Sequence, residues 1–333
     1  MRAMPTPHED CWSHPVLAAD ALPAGQPQAV RLLDQPWVLW RDAQGQPLAA
    51  PDRCPHRGAR LSLGRVDDGL LQCPYHGWCF GPTGACVRVP AMPEFQPPAS
   101  HGLGHVVPLS QAHGLLWLRP DGGAPRLPAF AAEADDRLRK LNVGPYRVQT
   151  SAPRIVENFL DLAHFGTVHA GWLGDAQHLA VPPYTVTVDP ADGVLASGCQ
   201  AWQPRSNLRS AGGSWVSYDY RVPAPFAAVL EKAPEQQAGW RESIALFIQP
   251  ETPSSCQVWF RLAVPDWTAS DEQLRAFQHT IFCQDQPVLE SQEPKLLPIL
   301  PASAGLEVHC GADRSAMAYR RYLNLLNITF GVC

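Results

Sequence analysis

Two short stretches, Cys54-Pro55-His56-Arg57-Gly58-Ala59 and Cys73-Pro74-Tyr75-His76-Gly77-Trp78, decide how this chain is read. Each supplies one thiolate and one imidazole, as C-x-H in the first and C-x-x-H in the second, with residues 57–72 between them. Two cysteines on one iron and two histidines on the other make the ligand set of a [2Fe–2S] centre of mixed ligation. A Cys₂His₂ zinc site is the alternative. Zinc modules pair Cys with Cys and His with His at C-x₂₋₄-C and H-x₃₋₅-H spacing, whereas both pairs here are mixed and one is too short. The iron–sulfur reading is the better fit.

These stretches resemble the Rieske domain of oxygenases. Respiratory Rieske proteins carry two further cysteines that tie the cluster loops together. Ala59 and Tyr75 stand at those positions here, which points away from an electron carrier and toward the oxygenase branch.

With 333 residues the chain has room for about two domains. Its net charge of −5 comes without a block of like charges, so nothing suggests nucleic acid or an anionic membrane as a partner. Met1 to His14 has no apolar run and does not read as a secretory signal. No run of about 20 apolar residues is present, so no membrane-spanning helix is expected. The eight cysteines outside the two pairs are scattered, which suits free thiols in a reducing cytoplasm.

Up to about Pro125 the chain reads as short strands and turns, among them Val30–Leu33, Trp37–Trp40, Gly69–Gln72 and Gly114–Leu118, with a turn over Asp42–Gln46. Asp121–Pro125 has linker composition, dividing a domain 1–125 from a domain 126–333. The second mixes helix and strand. Its alternating segments Ser214–Val222, Ser243–Gln249 and Gln257–Val264 predict antiparallel strands with one wet face.

A second constellation lies in that domain: Asn158-Phe159-Leu160-Asp161-Leu162-Ala163-His164-Phe165-Gly166-Thr167-Val168-His169. On a helix Asp161 and His164 would share a face, whereas His169 would lie about 140° around from His164. For both imidazoles to meet one metal the helix must bend or end between them, and Gly166 with β-branched Thr167 and Val168 is the expected break. Two histidines and one carboxylate with open positions form the ligand set of non-haem Fe(II) oxygenases. For the carboxylate, Ser270-Asp271-Glu272-Gln273 reads as a capping box opening a helix whose apolar stripe runs Leu274, Phe277, Ile281 and on to Asp285. A carboxylate on a buried face is costly unless paired or metal-bound, which favours Asp285 over its rivals Glu290 and Glu293.

The spacing N-x-x-D-x-x-H-x-x-x-x-H, a domain's length after the Cys–His pairs, is similar to the iron motif of Rieske oxygenases. More narrowly, Gly171–Asp175, Ser291–Pro294 and the tail from Asp313 to Cys333 resemble hydroxylases of the saxitoxin pathway, and the whole chain is more distantly similar to vanillate- and dicamba-type O-demethylases. The resemblance implies an α+β chain: an all-β Rieske domain holding the cluster on Cys54, His56, Cys73 and His76, then a helix-grip domain with an antiparallel sheet. It implies Fe(II) on His164, His169 and Asp285 and a homotrimer in which Asp161 meets His76 of the next chain. Asn158 matches a position near the iron. It also implies O₂, a small-molecule substrate and a separate NAD(P)H-linked reductase or ferredoxin. No G-x-G-x-x-G appears here to bind a dinucleotide, Gly102-Leu103-Gly104 lacking the third glycine.

The expected reaction is hydroxylation of a C–H bond. The alternatives are O- or N-demethylation, an aromatic dihydroxylating dioxygenase, whose α chain is normally longer, and a ferredoxin-like carrier, which would need only the first site. From about Gly198 to Arg261 little aligns, so the substrate does not transfer. Trp202, Trp215, Tyr218 and Trp259 read as core packing, with a pocket wall as the second possibility.

Overall fold

A computed structural model describes residues 8–303 and 305–333. It divides into two compact units, residues 10–127 and residues 128–333 together with Glu9. The division falls two residues past the boundary expected from the Gly/Pro-rich linker. At the other end Glu9 belongs with the C-terminal unit because its carboxylate accepts the backbone N–H groups of Thr329 and Phe330. Met1 to Pro7, part of the stretch read for a signal, lie outside the described residues.

The first unit is all β. One antiparallel sheet takes Gln28–Leu32, Gln35–Arg41, Pro47–Pro51 and Val107–Pro108. A second takes Arg65–Asp67, Leu70–Gln72, Cys79–Phe80 and Cys86–Arg88, and a third sets Leu115–Leu118 between His14–Ala18 and Ser110–Ala112. Trp40, Leu61, Leu71 and Phe80 are fully buried in one core cluster with Cys54 and Cys73, so the thiols grow out of the packed interior. Each such side chain contributes roughly 1.5–3 kcal/mol by leaving water.

The second unit is built on seven antiparallel strands: β1 (Arg139–Val148), β2 (Thr185–Asp189), β3 (Gly193–Gln203), β4 (Ser214–Ala224), β5 (Ala227–Pro234), β6 (Glu242–Thr252) and β7 (Ser255–Val264), in the order β1-β7-β6-β5-β4-β3-β2. The expected alternation of wet and dry faces holds on β4, where buried residues recur at every second position. It fails on β6, buried along nearly its whole length. β6 lies mid-sheet with cover on both faces, so a run such as Ala245-Leu246-Phe247-Ile248 has no wet side.

Among the described residues four α-helices complete the unit: α1 (Ala152–Leu160), a single turn α2 (Phe165–Val168), α3 (Asp271–Ser291) and α4 (Arg314–Leu325). Ser270 and Gln273 form the expected capping box at the start of α3, and the helix runs through Pro287 to Ser291. The Phe282 ring packs 4.5 Å from that of Tyr146 and 5.3 Å from that of Phe260, seating α3 on β1 and β7. α1 is tied to α4 by buried charge. Arg320 donates to Glu157 at 2.6 and 3.0 Å and to Glu307 at 2.6 Å, while Arg154 meets Glu307 at 2.6 Å. Ser315 Oγ donates to the Leu160 carbonyl, satisfying an end that α1 would otherwise leave open.

Candidate metal centres

The two Cys–His stretches fold into matching turns. Cys54 N–H donates to Ala59 O and Gly58 N–H to Cys54 O; in the second loop Cys73 N–H donates to Trp78 O and Gly77 N–H to Cys73 O. Gly58 and Gly77 both have φ of 72°, a left-handed conformation that explains glycine at each position. The turns put the thiols inward and the imidazoles outward: Cys54 and Cys73 are buried, His56 and His76 exposed. The His rings lie 4.7 Å apart, and the Trp78 ring stacks on His56 at 4.5 Å. Burial, reinforced by the neighbouring Cys73 thiol, pushes Cys54 up to about 11. Such a thiol gives up its proton to a metal and not to water, so the four side chains suit a [2Fe–2S] cluster.

In the second unit His164, His169 and Asp285 offer ligand atoms that all lie within 4.8 Å of one another. His164 Nε2 is 3.2 Å from His169 Nε2; Asp285 Oδ1 is 3.4 Å from the first and 3.2 Å from the second. The outer nitrogens are committed elsewhere. His164 Nδ1 meets Asp161 Oδ2 at 3.0 Å and His169 Nδ1 meets Gln284 Oε1 at 2.8 Å. Both partners are acceptors, so both Nδ1 atoms carry hydrogen and both Nε2 atoms turn toward the Asp285 carboxylate, where a proton or a metal ion can bridge them. Two imidazole nitrogens and a carboxylate oxygen this close repel one another unless a cation lies between them; in the metal-free chain a proton on His164 serves, and a metal ion would displace it. Donors about 2.1 Å from a shared centre and at right angles would stand about 3.0 Å apart, close to the triangle observed. The set fits a mononuclear Fe(II).

The local fold differs from expectation in one instructive way. Asp161 is not on the helix: α1 ends at Leu160, and Asp161 is extended, with φ of −85° and ψ of 133°. Its Oδ1 accepts the Ala163 N–H at 2.8 Å, a turn that competes with another round of helix. The chain therefore breaks at Asp161, before the first histidine, and the histidines flank the single turn α2. Gly166 lies inside that turn. It is glycine because a Cβ there would collide with Leu179 and come within 2.8 Å of the Asp175 carbonyl oxygen.

Asp285 is buried on α3 as its place in the apolar stripe requires. Burial pushes its pKa up, but hydrogen bonds from His164 and His169 win and hold it at about 2. Asn158 Nδ2 donates to Asp285 Oδ1 at 3.3 Å, so it steadies the carboxylate. Glu290 instead accepts from Gln149 N–H and Gln286 Nε2, and Glu293 is 74% exposed beside Lys295; neither reaches the triangle. Gln284 was invisible to sequence reasoning, since a glutamine one residue before the carboxylate reads as ordinary helix polarity.

The triangle opens into a cavity between α3 and the sheet, with about 1040 Å³ of space free of protein atoms, part of it continuous with solvent. Its wall is mostly apolar, with Ile155, Phe159, Ile244, Phe260, Leu262 and Ile281 prominent. Of the four aromatics singled out between Gly198 and Arg261, Tyr218 lines it. Trp202 and Trp215 pack around His178, and Trp259 is buried elsewhere in the sheet.

All ten cysteines stand as free thiols. Among the described residues no helix is long and apolar enough to cross a membrane.

Comparison with known proteins agrees with this architecture. Residues 12–107 match the Rieske [2Fe-2S] domain, and residues 148–327 match the vanillate O-demethylase oxygenase C-terminal domain. Methylxanthine N1-demethylase NdmA of Pseudomonas putida is 32% identical over 94% of this chain and 88% of its own length. A probable methylxanthine N7-demethylase, NdmC of a Pseudomonas strain, is 38% identical over 66% of this chain and 77% of its own. The solved structure of Pseudomonas putida NdmA with caffeine superimposes with a TM-score of 0.81 at 29% identity, covering 95% of this chain and 90% of that one. Rieske and vanillate-demethylase-type domains, in that order and over most of the sequence, show that the chain belongs to the Rieske non-haem iron oxygenases, enzymes that use O₂ with a [2Fe–2S] cluster and a mononuclear Fe(II).

Proposed function

We propose that this chain is the terminal oxygenase of an N-demethylase system, with the cluster on Cys54, His56, Cys73 and His76 and the iron on His164, His169 and Asp285. The observation that carries the reading is the triangle of ligand atoms of His164, His169 and Asp285 at the mouth of an apolar cavity. The likeness to methylxanthine demethylases over nearly the full length favours a methyl group on nitrogen as the target.

Bound iron supplies the activation of O₂. The protein's share is positional. The apolar wall excludes water from the reacting methyl, Asp285 and Asn158 keep one face of the site anionic and fixed, and Asp161 and Gln284 set the histidine tautomers. The balance is that an N-methyl compound, O₂, two electrons and two protons give an N-hydroxymethyl compound and water. The carbinolamine then splits to the N–H product and formaldehyde. Hydroxylation of a carbon-bound C–H is the same first step on a substrate that cannot split.

Two electrons per turnover require an external donor, a separate NAD(P)H-linked reductase or ferredoxin. In a homotrimer Asp161 would take them from His76 of a neighbouring chain; its side chain, 31% exposed, keeps a face open for such a partner. The reducing cytoplasm suits its free thiols and cluster. The test is turnover of an N-methylated heteroaromatic panel, caffeine included, with a surrogate reductase under ¹⁸O₂. Formaldehyde in equal amount to demethylated product supports the reading. A stable hydroxylated product and no formaldehyde would make the enzyme a simple hydroxylase.

A further inference from the structure

On the sheet side the cavity wall contains one polar row. Tyr218 of β4 pairs across strands with Lys232 of β5, and Lys232 with Glu242 of β6, so the three side chains share the cavity face. Lys232 Nζ lies 2.7 Å from Glu242 Oε1, with both side chains only 6% exposed. The same ammonium donates to the Ser206 carbonyl. Glu242 Oε1, although close enough for an ion pair, accepts no hydrogen bond, so N–H groups on the lysine and lone pairs on the glutamate are left over. The cavity's other wall carboxylate outside the metal triangle, Asp266, is met by Arg209 at 3.0 Å. Outside that triangle, then, the charges on the wall are already matched, and no lining cation is left to receive an anion. Tyr220 Oη and Trp240 Nε1, on two further lining residues, are buried without a protein partner, and the indole N–H can only donate.

An anionic ligand would have to shed its hydration beside a neutral pair that offers it no net charge in return. An uncharged carbonyl or amide can instead take the spare N–H groups and lone pairs without disturbing the pair. We propose that the substrate is an uncharged, mostly apolar molecule with an amide-like polar edge, received by Lys232 and Glu242, and that carboxylates are discriminated against. The proposal rests on the reading of this cavity as the substrate site.

The test uses a matched pair of probes, 3,4-dimethoxybenzamide and 3,4-dimethoxybenzoate, which differ in charge but hardly in shape. Their dissociation constants are measured at pH 7 on protein loaded with both metal centres, by calorimetry and without reductant. The amide is expected to bind about tenfold or more tightly than the acid, about 1.4 kcal/mol. Glu242→Gln, which leaves Lys232 as an unmatched buried cation, is expected to reverse that preference. Equal or tighter binding of the acid by the wild type overturns the proposal. So does an unchanged ratio in a folded Glu242→Gln protein, or saturable binding of neither probe at millimolar concentration. Should the variant not fold, the wild-type ratio decides alone. Because no turnover is involved, an amide preference that persists in a protein releasing no formaldehyde would reject the demethylase reading and leave this one standing.

Discussion

Asp161 Oδ2 stands 3.0 Å from His164 Nδ1, while the corresponding nitrogen of His169 meets not a carboxylate but the amide oxygen of Gln284. The two imidazoles of the proposed iron site are thus backed unequally. A carboxylate makes its histidine the more basic and more electron-rich ligand, whereas an amide fixes the tautomer without adding charge.

Asp161→Asn keeps a hydrogen-bonding side chain of the same size and removes its charge. Iron content and the visible absorption of the cluster are expected to stay near wild-type values while turnover falls about 10–100-fold. Stopped-flow reduction followed by single-turnover product analysis separates electron arrival from substrate binding. Full activity in this variant would reject Asp161 as the link between the centres.

Gln284→Leu leaves His169 Nδ1 without its acceptor and frees the ring to change tautomer. Iron affinity is expected to weaken about 10–100-fold, read from a chelator competition on cluster-loaded protein. Gln284→Glu should restore it. If Leu and Gln bind iron equally, the hydrogen bond has no role in holding the ligand.

Metal uptake should depend on pH in a definite direction. Burial pulls the His164 pKa down, but hydrogen bonds to Asp161 and Asp285 prevail and lift it to about 9 in the metal-free chain. In that state the raised pKa stabilises the fold below the unfolded value of about 6.5, and the contribution is lost as pH rises through about 9. Iron must displace that proton, so its affinity runs the other way and tightens about tenfold per pH unit across this window. Asp285, already ionised above about 2, adds no slope there. A flat profile of iron affinity between pH 6.5 and 9 would show that His164 is neutral before the metal arrives.

Much of the candidate site was legible because ligand chemistry constrains spacing. Cys54, His56, Cys73 and His76 stand close in sequence, and Asp285 revealed itself as a carboxylate on an apolar stripe, which burial alone would punish. The break at Asp161 was not legible, since Gly166 is the stronger local signal and only the fold shows its missing Cβ making room for the Asp175 carbonyl. Lys232 and Glu242 are ten residues apart in a stretch where little of the sequence resembles the family by eye. Their pairing depends on the register of β5 and β6, which a sequence read one strand at a time does not contain.

Arg320→Met tests how far the iron site depends on charge buried behind it. The guanidinium satisfies Glu157 and Glu307 together, and its loss leaves two largely buried carboxylates on the remaining cation, Arg154. Breaking a buried pair costs about 3–5 kcal/mol, and because Arg154 still meets both acids, at 2.6 and 3.7 Å, the lower end applies. Glu157 sits next to Asn158 on α1, whose last residue precedes Asp161, so a loosened α1 reaches the metal ligands directly. Guanidinium unfolding followed by iron release should therefore shift to lower denaturant by an amount equivalent to about 3 kcal/mol, while the cluster's colour, held in the other unit, survives to the wild-type concentration. Simultaneous loss of both signals at the wild-type midpoint would mean that the four-charge network adds nothing to the stability of the catalytic unit.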